Sequence, residues 1–181
     1  MQTIPVSALQ NPEGVSELCR KTAEPVRVEV DGRNDLVVMS PEVYRRLEPH
    51  TEALHLFEKL MNSPQYDFDQ LKPSMLPEDE AGVYVIFLKD TGETLYAGRT
   101  KNLRRRLYTN HLMGPEANAR LKKYLVTDKR YPDIEDMEQA KAFIREHCAF
   151  RYLVEPDTDK RGRLEGLFAF LTNGRYIDEE H

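Results

Sequence analysis

The apolar positions follow two rhythms along the chain. Between Val26 and Val30 they alternate, at Val26, Val28 and Val30; a polar turn follows at Asp31-Gly32-Arg33-Asn34, and Leu36-Val37-Val38-Met39 returns. A period of two around such a turn predicts a β-hairpin with one face to bury. Before it, Thr3-Ile4-Pro5-Val6 reads as a short strand and Ser7 as the cap of a short helix. Asn11-Pro12-Glu13-Gly14 breaks that helix, and Val15, Leu18 and Cys19 carry the next one to Thr22. After the hairpin, Ser40 is an N-cap and Pro41 a first helical residue for a helix through Val43, Tyr44 and Leu47. Pro49 is expected to interrupt it before Leu54, Leu56, Phe57 and Leu60 resume the spacing. The second rhythm begins at Val83-Tyr84-Val85-Ile86-Phe87-Leu88, an unbroken apolar run that predicts a strand covered on both faces. Asp90 to Glu93 turns, with Gly92 able to take a positive φ, and Leu95 to Gly98 returns as a second strand. Leu103 and Leu107, four apart, pin a helix to that sheet.

Further on, Ala140, Phe143 and Ile144 mark an amphipathic helix from Met137 to His147, and Phe150 to Val154 is a third strand. Thr158 or Asp159 caps a last helix through Leu164, Leu167, Phe168 and Leu171. Residues 114–136 are long for a plain connection and are read as holding extra helix around Ala119 to Leu125. The order predicts an α/β (α+β) fold: a small mixed sheet flanked by helices, preceded by a smaller α+β unit. The expected divisions are residues 1–61, a connector over 62–79 punctuated by Pro64, Pro73 and Pro77, and a second domain over 80–178.

Charge changes this picture locally. The 181 residues carry a formal net charge of −5, which does not mark the whole molecule as a nucleic-acid binder. Between Leu95 and Arg130, however, Arg99, Lys101, Arg104, Arg105, Arg106, Arg120, Lys122, Lys123, Lys129 and Arg130 face only Glu116 and Asp128. A basic stripe on an acidic protein is a local anion site. Cys19 and Cys148 are too few and too distant to frame a disulfide or zinc site, and read as buried fillers. No apolar run is long enough to span a bilayer, and Met1 to Pro5 lack a leader's basic and apolar regions, so the expectation is a cytoplasmic protein without a membrane partner.

A small first unit has little interior, which favours burial against a second copy. Its residues carry a resemblance. Ile4-Pro5-Val6-Ser7, Val15-Ser16-Glu17-Leu18, Glu24-Pro25-Val26, Asp31-Gly32-Arg33 and Val38-Met39-Ser40-Pro41-Glu42-Val43-Tyr44-Arg45-Arg46-Leu47-Glu48 are similar to the prevent-host-death (Phd/YefM) antitoxin family. The resemblance covers about residues 1–48. It implies a homodimeric, DNA-binding, antitoxin-like module, with a toxin or antitoxin partner. Such proteins usually carry basic residues near Leu9-Gln10-Asn11-Pro12-Glu13, where this chain has none.

A second resemblance rests on Gly82-Val83-Tyr84, Tyr96-Ala97-Gly98 and the following Asn102-Leu103 with Arg106. In signatures and separation these resemble the GIY-YIG nuclease family over about residues 80–178. The resemblance implies one divalent ion, Mg²⁺ or Mn²⁺, and hydrolysis of a nucleic-acid phosphodiester, with DNA as the expected substrate. Tyr84 matches the position that activates water, with Tyr96 beside it. A phenol titrates near 10, and neighbouring cations are expected to favour its ionised form. Arg106 matches the helix arginine that meets transition-state charge, and Arg99 a common basic position after the second signature. Glu165 stands alone among Leu164, Leu167, Phe168 and Leu171, and an acid in so apolar a setting needs a partner. It matches the family's metal-binding glutamate; its alternative is a structural pair with Arg163 or Arg106. Lys101, Arg104, Arg105, Lys122 and Lys123 are expected to bed the nucleic-acid backbone.

Two positions depart from the family pattern. Relatives place a histidine four residues after the helix arginine, where this chain has Asn110; His111 comes one residue later, on what an α-helix makes a different face. Relatives also end with an asparagine near the place of Ile177, while Asn173 lies earlier. The two functional classes left open are an endonuclease with an antitoxin-like module and a non-catalytic DNA-binding regulator of toxin-antitoxin type.

Overall fold

The computed structural model describes residues 1–113 and 120–177. Glu116, the expected helix start at Ala119 and the acidic end Asp178-Glu179-Glu180 lie outside the described residues. The chain divides into two compact units, Met1–His55 and Leu56–His181.

In the first unit, β1 (Thr3–Pro5) runs parallel to β2 (Val26–Val30), and β2 pairs antiparallel with β3 (Arg33–Val38). Asp31 and Gly32 close the β2–β3 hairpin with φ of 49° and 78°, which is why an Asp-Gly pair stands there. A 3₁₀ turn covers Val6–Gln10, and Ser7 lies inside it rather than capping it. Helix α1 (Pro12–Thr22) starts three residues earlier than expected, because Asn11 accepts the Gly14 N–H at 3.1 Å and Pro12 needs no donor at the first position. Ile4, Cys19, Val26 and Val28 form the buried core of this sheet and helix. Helix α2 (Pro41–Met61) opens as the sequence indicates, with Ser40 Oγ accepting the Val43 N–H at 3.3 Å. It runs through Pro49 without the expected interruption. That turn is solvent-exposed, so the carbonyl that loses its partner can be met by water.

The second unit begins inside α2: Leu60 is fully buried against Val83, Val85 and Phe168, with Leu56 and Phe57 alongside. The segment read as a connector belongs to this unit. Tyr66–Asp67 is a strand, β4, and Phe68, Leu71 and Leu76 sit in the core. Apolar residues between the prolines outweighed the breaker signal. The sheet order is β4-β7-β5-β6, antiparallel throughout, with β5 (Gly82–Leu88), β6 (Thr94–Thr100) and β7 (Cys148–Val154). Because β5 is central, both its faces are buried: Tyr84 and Ile86 join the larger core, Val83 and Val85 the smaller. The larger core is covered by the helix after β6, by α3 (Arg120–Thr127) and by α4 (Met137–His147). The smaller is covered by α5 (Thr158–Leu171), capped by Asp157 rather than Thr158 or Asp159, through a 2.7 Å bond from the Lys160 N–H. The mixed α and β class expected of the chain is what the structure shows. Both cysteines are buried and free, as expected of fillers. Among the described residues no helix is long and apolar enough to cross a membrane.

Strand β6 is the sheet's edge. Arg175 and Tyr176 lie along its outer side, their N–H groups donating to Thr94 O at 3.1 Å and Leu95 O at 2.8 Å. Tyr176 is anchored by its hydroxyl on Asp128 at 2.8 Å and by stacking on Tyr124, with centroids 5.1 Å apart. Arg175 is held by Glu93 and by the Tyr131 hydroxyl.

Candidate active site

Two neighbouring strands place the tyrosines. Tyr84 on β5 stands opposite Gly98 on β6, and its ring leans over that glycine: a Cβ built on Gly98 would lie 2.5 Å from the Tyr84 hydroxyl. Gly98 is therefore the space in which the phenol sits. Tyr96 packs nearby, 6.3 Å between ring centroids. Arg106 donates from Nε to the Tyr84 oxygen at 2.8 Å, and Tyr96 lies within hydrogen-bonding reach of the same guanidinium.

The helix carrying Arg106 departs from α geometry. Leu103 and Arg104 open it in α form, with the Asn102 side chain accepting the Arg105 N–H at 2.8 Å, and Arg105–Met113 then run as a π-helix. Bonding from i to i+5 stacks residue 111, not 110, over residue 106. His111 is consequently buried against both tyrosines, with Nε2 3.0 Å from the Tyr84 hydroxyl and ring centroids 5.6 Å from Tyr84 and 6.1 Å from Tyr96. The one-residue displacement seen in the sequence is thus absorbed by the wider turn, and Asn110 is not the residue that faces Tyr84. A five-residue Arg-to-His spacing was the available signal.

Electrostatics decide the protonation states. Burial pushes the Tyr84 phenol above its ordinary 10, outweighing the opposing pull of Arg106. This corrects the expectation of an ionised phenol: desolvation penalises the anion more than one cation rewards it. Burial also holds the His111 imidazole well below 6.5, helped by Arg106 and Lys122, so it is neutral. Tyr84 accordingly keeps its proton and accepts from Arg106, while the His111 tautomer sets which partner donates across the 3.0 Å contact with Nε2. The other ring nitrogen, Nδ1, is buried with no hydrogen-bond partner among the described residues.

From the opposite face α5 delivers Glu165 to the same edge strand. Its Oε1 accepts the Arg99 backbone N–H at 3.2 Å, and its Oε2 lies 3.0 Å from Arg99 Nε. Arg99, beyond the two arginines considered from sequence, is a direct partner of this acid. Its guanidinium crosses α5 at Gly162, where a Cβ would lie 2.5 Å from Nη1. Glu165 is close enough to raise the Tyr84 pKa by its charge, so the two clusters meet around Gly98-Arg99. Because β6 is an edge, groups on both faces of the sheet can reach its rim.

The remaining candidates separate. Lys101, Arg105 and Lys123 are exposed and able to meet a backbone of phosphates. Arg104 is not available in this way: it donates to the Leu76 carbonyl at 2.9 and 3.3 Å and pairs with Glu78 at 3.0 Å, tying down the 73–80 segment. Lys122 is buried on α3, with its pKa lowered first by burial and then by Lys141, so it lies away from solvent. Asn173 takes a φ of 50° in the turn that ends α5, a helix-terminating role, and Ile177 is exposed.

Residues 80–164 match the model of the GIY-YIG catalytic domain, which points to a nuclease and to nucleic acid as its ligand. The match begins at residue 80, so the antitoxin resemblance of the first unit rests on its own residues. Searches of curated proteins and of solved structures each returned no match.

Proposed function

We propose that the second unit is a metal-dependent endonuclease that hydrolyses DNA phosphodiester bonds. The observation that carries this reading is the Tyr84 hydroxyl held between Arg106 Nε and His111 Nε2, beside a glutamate brought from a different element. Hydrolysis asks for a proton acceptor near the attacking water and fixed positive charge near the phosphate. Tyr84 takes the water's proton as its own passes to His111 Nε2; the charge so gained by the imidazole is matched by negative charge developing on the phosphate. Tyr84 has no exposed surface. Movement of Arg106 from the phenol to the phosphate both uncovers the hydroxyl and supplies the charge that the transition state needs.

Among the described residues no cluster of three or more His, Cys, Asp or Glu is gathered for a metal. A single carboxylate nevertheless fits Mg²⁺ or Mn²⁺, which accept one or two protein carboxylates and complete their shells with water and phosphate oxygens. Glu165 would hold the ion, whose contribution when bound is to polarise the phosphate and stabilise the departing oxygen. Lys101, Arg105 and Lys123 bed the backbone.

The test is cleavage of plasmid DNA and of RNA in Mg²⁺ or Mn²⁺, with a chelated control. Glu165→Gln and Arg106→Ala should each lower the rate at least about 100-fold. Wild-type protein that binds DNA but never cuts it would replace this reading with that of a non-catalytic regulator.

For the first unit we propose an antitoxin-like module that pairs two copies. Its support is a core of little more than Ile4, Cys19, Val26 and Val28, with Leu36 and Val37 about half exposed on β3. Sedimentation of the full chain should give a dimer, and Leu36→Lys with Val37→Lys should give a monomer. A wild-type monomer at micromolar concentration would end the proposal.

A further inference from the structure

Arg99 meets both carboxylate oxygens of Glu165, Oε1 with its backbone N–H and Oε2 with its guanidinium. The acid is thereby already neutralised by a cation at hydrogen-bonding distance. The pair is open to solvent, the Glu165 side chain being 30 % and the Arg99 side chain 48 % accessible. Helix α5 is cut away beneath it, since Gly162 leaves the room that Nη1 occupies. A merely structural ion pair at this exposure contributes little to stability, so the fit asks for another purpose.

We infer that Arg99 is a resident cation on Glu165 that a divalent ion must displace, so metal uptake proceeds by exchange with the guanidinium. This rests on the metal-dependent reading above. The two cations compete for one carboxylate and repel each other at contact distance. Displacement turns Arg99 outward from Gly162, free to pair with a phosphate. By linkage, whatever draws Arg99 away strengthens metal binding, and the metal in turn makes Arg99 available to an anion. Arg99 thus sets the ion affinity of the site in addition to the charge it can offer substrate.

The measurement is Mn²⁺ uptake by full-length protein, read from the electron paramagnetic resonance of the free ion. Arg99→Gln should bind Mn²⁺ at least about fivefold more tightly than wild type, the scale of a partly exposed ion pair. Arg99→Lys, which restores a cation, should return towards the wild-type value. In a second reading that does not depend on the variants' folding, the Arg99 Nε–H resonance of wild-type protein should shift as Mg²⁺ is added. Equal or weaker binding by Arg99→Gln, with an unmoved Nε–H signal, would overturn the inference while leaving metal binding intact. Absence of Mn²⁺ uptake by wild type and variants alike would remove the metal reading and this inference with it.

Discussion

Alanine at Gly98 is expected to lower cleavage about 100-fold or more, the scale of a 1 Å error in placing a reacting group. The added carbon would stand 2.5 Å from both Cζ and Oη of Tyr84 and 2.7 Å from Cε1 of Tyr96. The Tyr84 ring has no surface to retreat into, and its hydroxyl is tied to Arg106 and His111. Relief must come from shifting the phenol or opening the β5–β6 pair, and either breaks the three-residue contact. Gly166→Ala is the control, because a Cβ there meets nothing within 4 Å and the position is in a helix. It should leave the rate unchanged and add about 0.5–1 kcal/mol of stability. Normal cleavage by folded Gly98→Ala would remove Tyr84 from the mechanism.

His111→Ala should cost about 10²–10⁴ in rate, the range for a proton-transfer partner. Deleting Asn110 provides the sharper comparison. With one residue fewer, the histidine falls four positions after Arg106, and an ordinary α-helix then brings it to the same face. The deletion variant should stay folded and keep activity within about tenfold of wild type, with amide exchange reporting a regular helix. An inactive but folded deletion variant would show that the π geometry itself, and not the face it serves, is required. The same histidine makes stability pH-dependent. Its folded pKa lies below 6.5, so the unfolded chain takes up the proton first and stability falls as pH drops below about 6.5. His111→Gln should flatten that decline in urea titrations taken between neutral and acid pH.

Most of the element order was legible because the patterns were long: the apolar run of β5, the alternation of β2 with the turn and apolar return after it, and the spacing of α4 each have one ready interpretation. What escaped was set by packing. The stretch holding β4 reads as breaker-rich, yet Phe68, Leu71 and Leu76 find a core that local propensity cannot anticipate. Arg104 and Lys122 look like members of one basic stripe, but a carbonyl and an acid hold the first and α3 buries the second. The candidate residues Tyr84, Tyr96, Arg106 and Glu165 stood out because they match positions of the family whose signatures the sequence resembles. The place of His111 did not, since putting it on a different face from Arg106 assumes the α-helical turn that this segment abandons.

The rim of β6 has a bearing on how the protein must be handled. An edge strand offers unmet N–H and C=O groups to any other extended chain. Here the Arg175-Tyr176 segment occupies the rim at Thr94 and Leu95, and Glu165 occupies the amide of Arg99. The glutamate thus covers one edge amide in addition to its proposed part in holding the ion. Truncating it to alanine bares that amide, and the expected result is more aggregation than the glutamine variant shows, read by light scattering. Glutamine retains an oxygen for the Arg99 amide, which makes it the substitution whose soluble, unaggregated product can be assayed.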